Sequence, residues 1–137
     1  MREQVTAVVA IVLVVGLTYL WWPRPARQAT DGAPLVEVKV PPLSALEQAG
    51  EGAFAARCAS CHGDNAAGKD GSGPPLVHVI YEPNHHGDAA FFLAARNGVR
   101  QHHWSFGDMP PVEGIDDAEV ERIVAYVRRL QQANGIF

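Results

Sequence analysis

Residues 57–62 read Arg57-Cys58-Ala59-Ser60-Cys61-His62 and contain both cysteines of the chain, with a histidine directly after the second. Two thiols at this spacing, followed by an imidazole, suit attachment of both sulfurs to the vinyl groups of one haem. The histidine then lies under the ring with a nitrogen available to the iron. No other short stretch constrains the fold as much, because a flat group held at three points obliges the chain to wrap around it. Other chemistries share parts of the pattern. A thioredoxin-like redox pair needs a preceding strand and a βαβ setting, and neither is visible. A zinc site needs four ligands, so two further histidines would have to complete the set. A disulfide between cysteines this close would shut a very small loop. The reading adopted is covalent haem c, one group bonded through Cys58 and Cys61, with His62 as an iron ligand.

A second axial ligand is sought among soft or imidazole side chains. Apart from Met1, the only methionine is Met109, in Gly107-Asp108-Met109-Pro110-Pro111. A neutral thioether favours ferrous iron and raises the reduction potential relative to two imidazoles. The two prolines stiffen the loop that carries it. A lone methionine is more often a core filler, but this one sits in a loop and not on an apolar stripe. His102 or His103 is the rival ligand. The other ring nitrogen of His62 needs a carbonyl to fix its tautomer, and Pro74, in a stiff loop, is the candidate acceptor. Trp104 is a candidate to reach a haem propionate through its indole N–H. The doublets His85-His86 and His102-His103 admit a second metal, copper for example. The plainer reading, hydrogen bonding near the haem rim and helix capping, is preferred.

The first forty residues belong to something else. Between Glu3 and Arg24 lie twenty uncharged residues, which as a helix span about 30 Å, the depth of a bilayer's hydrocarbon core. Tyr19, Trp21 and Trp22 cluster at one end, where amphipathic rings favour headgroups. A cleaved signal peptide is the alternative, but the run is long for one and no small-residue cleavage site follows it. Residues 1–22 are therefore expected to be a transmembrane anchor. Flanking charge is slight and points the other way; haem attachment, which in bacteria takes place outside the membrane, sets the orientation. Residues 23–43 hold five prolines and read as a linker, with a weak strand-like alternation from Leu35 to Val40.

Residues 44–137 form the expected domain. Ser44 and Glu47 make a capping box for a helix over 45–57, with Gly50 and Phe54 on one face. The glycine-rich polar run 63–75 is loop, read as backbone wrapping a flat ligand. Asp88 starts a short helix over 89–96, ended by Asn97-Gly98. Asp116 and Glu119 make a second box, with Ile115 stapling to Val120. Val120, Ile123, Val124, Val127 and Leu130 then form an apolar stripe, and Tyr126 reads as packing. From Ser44 onward, seven Lys/Arg stand against twelve Asp/Glu, which makes nucleic acid an unlikely partner and a basic protein surface a suitable one.

Taken together, Gly50 and Phe54, Cys58-Ala59-Ser60-Cys61-His62-Gly63, Gly73-Pro74-Pro75-Leu76, Met109-Pro110-Pro111 and Ile123-Val124-Ala125-Tyr126-Val127 resemble small single-haem cytochromes c with histidine–methionine ligation. The resemblance runs from Gly50 to about Leu130. It implies an all-α domain wrapped around one haem, with first and last helices crossing at Gly50, Phe54, Ile123 and Tyr126. It also implies the His62–Pro74 hydrogen bond and one-electron transfer without substrate chemistry of its own. Implied partners are a quinol-oxidising cytochrome complex and a terminal oxidase or reductase, with the anchor in the inner membrane and the haem domain on the periplasmic side. The alternative role is a fixed haem c subunit of a membrane oxidoreductase complex.

Overall fold

The computed structural model describes residues 32–137, and the expected membrane span lies outside them. Among the described residues, no helix is long and apolar enough to cross a membrane. Secondary structure there is helical, with two isolated antiparallel bridges, Lys69–Gly73 and Val99–Met109, and no named strand.

Helix α1, Ala45–Arg57, begins where Pro41 and Pro42 forbid an earlier turn. Ser44 Oγ accepts from the Glu47 N–H and the Glu47 carboxylate accepts from the Ser44 N–H, so the capping box closes from both sides. A short helix α2, Ala59–His62, follows directly after Cys58. Helix α3 is Asp88–Asn97 and helix α4 is Asp117–Ala133. Single 3-10 turns occupy Asp64–Ala66 and Val79–Tyr81.

Two of the expected caps differ. At α4, Asp116 accepts from the Glu119 N–H at 2.7 Å, but only that half of the box forms. The Glu119 carboxylate turns to Arg57 at the end of α1 instead, 3.0 Å from its Nε. A charged donor holds a carboxylate more strongly than a backbone amide does. At α3, Gly87 is the cap and Asp88 is already helical; the Asp88 carboxylate accepts from Arg128 Nε at 2.8 Å.

The α1–α4 crossing is the centre of the fold. Phe54 from α1 and Ile123, Tyr126, Val127 and Leu130 from α4 are buried together, with Ala66 and Val77 from the intervening loop. The Phe54 and Tyr126 rings meet at 5.7 Å in a tilted pair. Helix α3 docks on the other side of α4 through Ala95 against Val120 and Val124, with Ile115 alongside.

The glycine-rich loop does something other than expected. A Cβ on Gly63 would stand 2.2 Å from the Gly68 carbonyl oxygen, and both residues have positive φ. These glycines let the loop fold back on its own backbone, and a Cβ on Gly73 would stand 2.6 Å from the Cys61 carbonyl oxygen, so the loop is also packed against the segment that carries the cysteines. The part of the linker that is described is also more tightly held than a tether. The Leu35 and Val36 N–H groups donate to the Ala67 carbonyl, Asp70 N–H donates to Ala33, and the Asn134 side-chain amide pairs with both backbone groups of Lys39. The alternating stretch 35–40 makes no strand; it is an extended arm bonded to the loop at one end and to the end of α4 at the other.

Candidate functional site

A cavity of 640 Å³ opens between the end of α1, α2, α3 and the loop after α3. That volume suits a cofactor or drug-sized ligand. Cys58, Cys61, His62, Pro74, Trp104 and Met109 all line it, alongside Leu76, Phe91, Val99, Ile115, Val120 and Ile123. The six residues singled out in the sequence are thus brought to one place from three separate segments.

The α1 terminus aims the first group. The Cys58 N–H closes α1 on the Phe54 carbonyl, and the His62 N–H bonds the Cys58 carbonyl at 2.9 Å. Cys58 and Cys61 form no disulfide with each other. Burial pushes the Cys58 thiol up to about 11, with the Glu119 and Cys61 charges adding to it. His62 Nδ1 donates to the Pro74 carbonyl at 2.9 Å, which leaves the lone pair on Nε2. Burial holds the imidazole below its ordinary pKa, against the raising effect of that hydrogen bond, so the ring is kept neutral and able to ligate.

Met109 is placed by backbone. Its N–H and carbonyl exchange hydrogen bonds with Val99, both at 2.9 Å. Gly98 makes this approach possible: a Cβ there would stand 2.4 Å from the Met109 carbonyl oxygen. The loop between them is braced by Gln101, whose N–H donates to Asp108 Oδ1 and whose Oε1 accepts from the Gly107 N–H, each at 2.9 Å.

Trp104 supplies the most direct sign of a missing partner. Its Nε1 is buried with no hydrogen bond among the described residues. The Tyr81 phenol feels the indole N–H, which opposes the rise that burial imposes on it, yet the two do not reach hydrogen-bond geometry. A buried N–H left unpaired costs roughly 1–3 kcal/mol, so an acceptor belongs beside it. The cavity lining is apolar, and two thiols and a neutral imidazole stand at the wall. The residues fit a haem c.

The Cytochrome c family model matches residues 47–131, from the first turn of α1 to near the end of α4. The chain belongs to the cytochrome c family. Comparison with curated proteins and with solved structures gives no match. As a cytochrome c domain it is of the haem c-binding, electron-transfer class, and its Cys58-Ala59-Ser60-Cys61-His62 carries the family's attachment spacing.

The histidine doublets turn out not to be caps. That work falls to His78, whose Nδ1 accepts from the Ile80 N–H at 3.2 Å. His86 and His102 donate from Nδ1 to the carbonyls of Ile80 and Arg100, at 2.6 and 2.9 Å. His86, His102 and His103 border the cavity, and all four rings of the doublets gather in one cluster.

Arg128 and Gln131 were not legible as site residues. Arg128 donates to the carbonyls of Tyr81 and His86 and to Asp88, and lies over the Phe91 ring at 4.9 Å. Gln131, almost fully buried, donates to Leu76 and Tyr81 carbonyls. Together they tie the segment 76–88 to α4. The one signal was helical spacing, which sets each polar residue one turn after a member of the apolar stripe, Arg128 four positions after Val124 and Gln131 four after Val127.

Proposed function

We propose that the chain is a membrane-tethered c-type cytochrome that carries single electrons between membrane-bound or periplasmic redox partners. What carries the reading is the convergence of Cys58, Cys61, His62, Met109 and the unpaired indole of Trp104 on one cavity. In this reading Cys58 and Cys61 hold haem c through two thioethers. His62 offers Nε2 to the iron, Met109 offers its thioether, and Trp104 donates to a propionate. Bound there, haem c supplies a one-electron ferric/ferrous couple. The Nδ1–H to Pro74 hydrogen bond raises the basicity of the opposite nitrogen. The Val99–Met109 bridge holds the thioether in place, and the apolar wall keeps water out. With His62 and Met109 both committed to the iron, a bound haem would offer a substrate no place at the metal, and the domain would act as a carrier.

The uncharged run near the N-terminus supports a single-pass anchor in the inner membrane, and haem attachment outside the membrane puts the haem domain on the periplasmic side. Partners on this reading are a quinol-oxidising cytochrome complex and a terminal oxidase or reductase; the acidic balance of the domain suits a basic docking surface. A second reading, a fixed haem c subunit of a membrane oxidoreductase complex, is favoured by the docked arm. With residues from Gly32 onward bonded to the domain, nine residues, 23–31, remain between the apolar run and the arm. They reach at most about 30 Å, which keeps the domain close to its anchor.

The test is the intact mass of the purified, denatured protein together with its visible spectrum. A mass one haem above the polypeptide, with bands that sharpen on reduction, supports the reading; a bare polypeptide mass overturns it. Sizing after detergent extraction separates a lone carrier from a bound subunit.

A further inference from the structure

Four imidazoles form one cluster, three of them (His86, His102 and His103) on the cavity wall, and the electron-carrier reading uses none of them. They come from two segments on either side of α3: His85-His86 before it and His102-His103 in the loop after it. One ligand nitrogen from each of His85, His86 and His103 lies within 4.8 Å of the other two. His85 Nε2 and His103 Nε2 are 3.4 Å apart. Two nitrogens bound to one tetrahedral ion at about 2.0–2.1 Å are separated by about 3.3–3.4 Å. The two nitrogens therefore already stand at the separation of ligands that share an ion.

The surroundings hold these rings in place. His86 Nδ1 donates to the Ile80 carbonyl, the outer hydrogen bond that fixes tautomer and orientation in metal sites and leaves the Nε2 lone pair free. The backbone below His85 and His86 is tied to α4, because Arg128 holds the carbonyls of Tyr81 and His86. The loop that carries His103 is braced through Gln101 and Asp108. His102 sits in the same cluster, its ring 4.3 Å from that of His103, but its Nδ1 is engaged by Arg100 and it is outside the convergent trio.

We propose that His85, His86 and His103 form a binding site for one imidazole-preferring divalent transition ion, copper or zinc, beside the cavity. Three neutral nitrogen ligands with no carboxylate among them favour such ions over magnesium or calcium, which require oxygen. Three protein ligands leave a coordination position open, so the ion is exchangeable and not a structural staple. Because His86 and His103 also line the cavity, a bound cation adds positive charge near the haem and raises its reduction potential; this clause alone rests on the haem reading.

The test uses the full-length protein, purified without a histidine tag, titrated calorimetrically with zinc chloride and with copper sulfate. One ion per chain is expected, with no binding of magnesium. His85→Ala and His103→Asn, both at exposed positions, should each weaken affinity at least about tenfold, and His85→Ala, at a residue that does not line the cavity, should leave the visible spectrum unchanged. His102→Ala should leave affinity within about threefold of the parent. Electron paramagnetic resonance of the copper-loaded protein should show nitrogen coupling that His85→Ala reduces. Absence of one-to-one binding, or equal affinity in parent and His85→Ala/His103→Asn, would overturn the proposal. So would His102→Ala weakening binding as much as His103→Asn. Ion binding is read without reference to haem content, which the mass measurement reports separately.

Discussion

Gly50 of α1 lies against the backbone of Arg122 in α4 so closely that a Cβ on it would stand 1.9 Å from the Arg122 carbonyl oxygen. The same atom would be 2.9 Å from Tyr126 Cβ. These are backbone and Cβ atoms, so no side-chain rotation relieves the clash and the helices must part. Alanine is the better helix former by roughly 1 kcal/mol, yet overpacking typically costs about 1–3 kcal/mol and this contact is severe. Gly50→Ala is expected to lower stability by at least about 2 kcal/mol in urea unfolding. Gly52→Ala, two residues on and facing the other way with nothing within 4 Å of its Cβ, is expected to raise stability by roughly 0.5–1 kcal/mol. Equal signs for the two variants would show that the crossing is looser than described.

Trp104 should behave as a donor to the bound cofactor and not to Tyr81. In the haem-loaded protein, Trp104→Phe removes a hydrogen bond to a charged acceptor, a loss of roughly 1.5–3 kcal/mol. Tyr81→Phe leaves the indole N–H its acceptor and is expected to cost less than about 0.5 kcal/mol. Paired urea titrations decide the matter. Matching losses in both variants would mean that the indole serves the phenol.

How much of this was readable in the residues depends on the range of each interaction. The Ser44–Glu47 box and the 45–57 helix were legible because both partners lie within one turn. The missing half of the Asp116–Glu119 box was not, because Arg57 is 62 positions from Glu119. The docked arm escaped notice for the same reason: its bonds run from Lys39 to Asn134 and from Leu35 to Ala67. At the site, motif spacing named Cys58, Cys61 and His62, Met109 stood out as the one methionine besides Met1, and a carbonyl acceptor at Pro74 stands where the imidazole needed one. Convergence of the two histidine doublets was beyond reach, since it depends on how the loops on either side of α3 return. Arg128 was beyond reach too, because its partners are backbone carbonyls, which leave no mark in a sequence.

Tyr126 gives the domain an alkaline limit. Burial pushes its phenol from 10.0 to about 12, and the charges of Glu51 and Asp64 add to the rise. The hydroxyl donates to Asn65 Oδ1 at 3.1 Å, a bond that requires the proton. The unfolded chain therefore ionises this group first. Its contribution is fully present below pH 10 and is lost as pH rises toward 12. Between about pH 9 and about pH 11, the urea midpoint of Tyr126→Phe should fall less than that of the parent. An identical fall would assign the alkaline loss to other groups.

Met109 carries the most specific claim about the iron. Its backbone is fixed by the Val99 bridge and by the close approach at Gly98, so Met109→Ala should remove the thioether and leave the loop in place. Cys58, Cys61 and His62 are untouched, and the haem should remain covalently bound, with an unchanged mass increment. Loss of a soft neutral ligand that favours ferrous iron should lower the reduction potential. It should also let carbon monoxide bind the reduced protein at neutral pH, which the parent should resist. Met109→His separates ligation from packing. An imidazole that takes the vacated position should close the iron to carbon monoxide again while keeping the potential below the parent's. A parental spectrum and potential in Met109→Ala would instead give the sixth position to another side chain, with His102 and His103 the nearest in kind on the cavity wall.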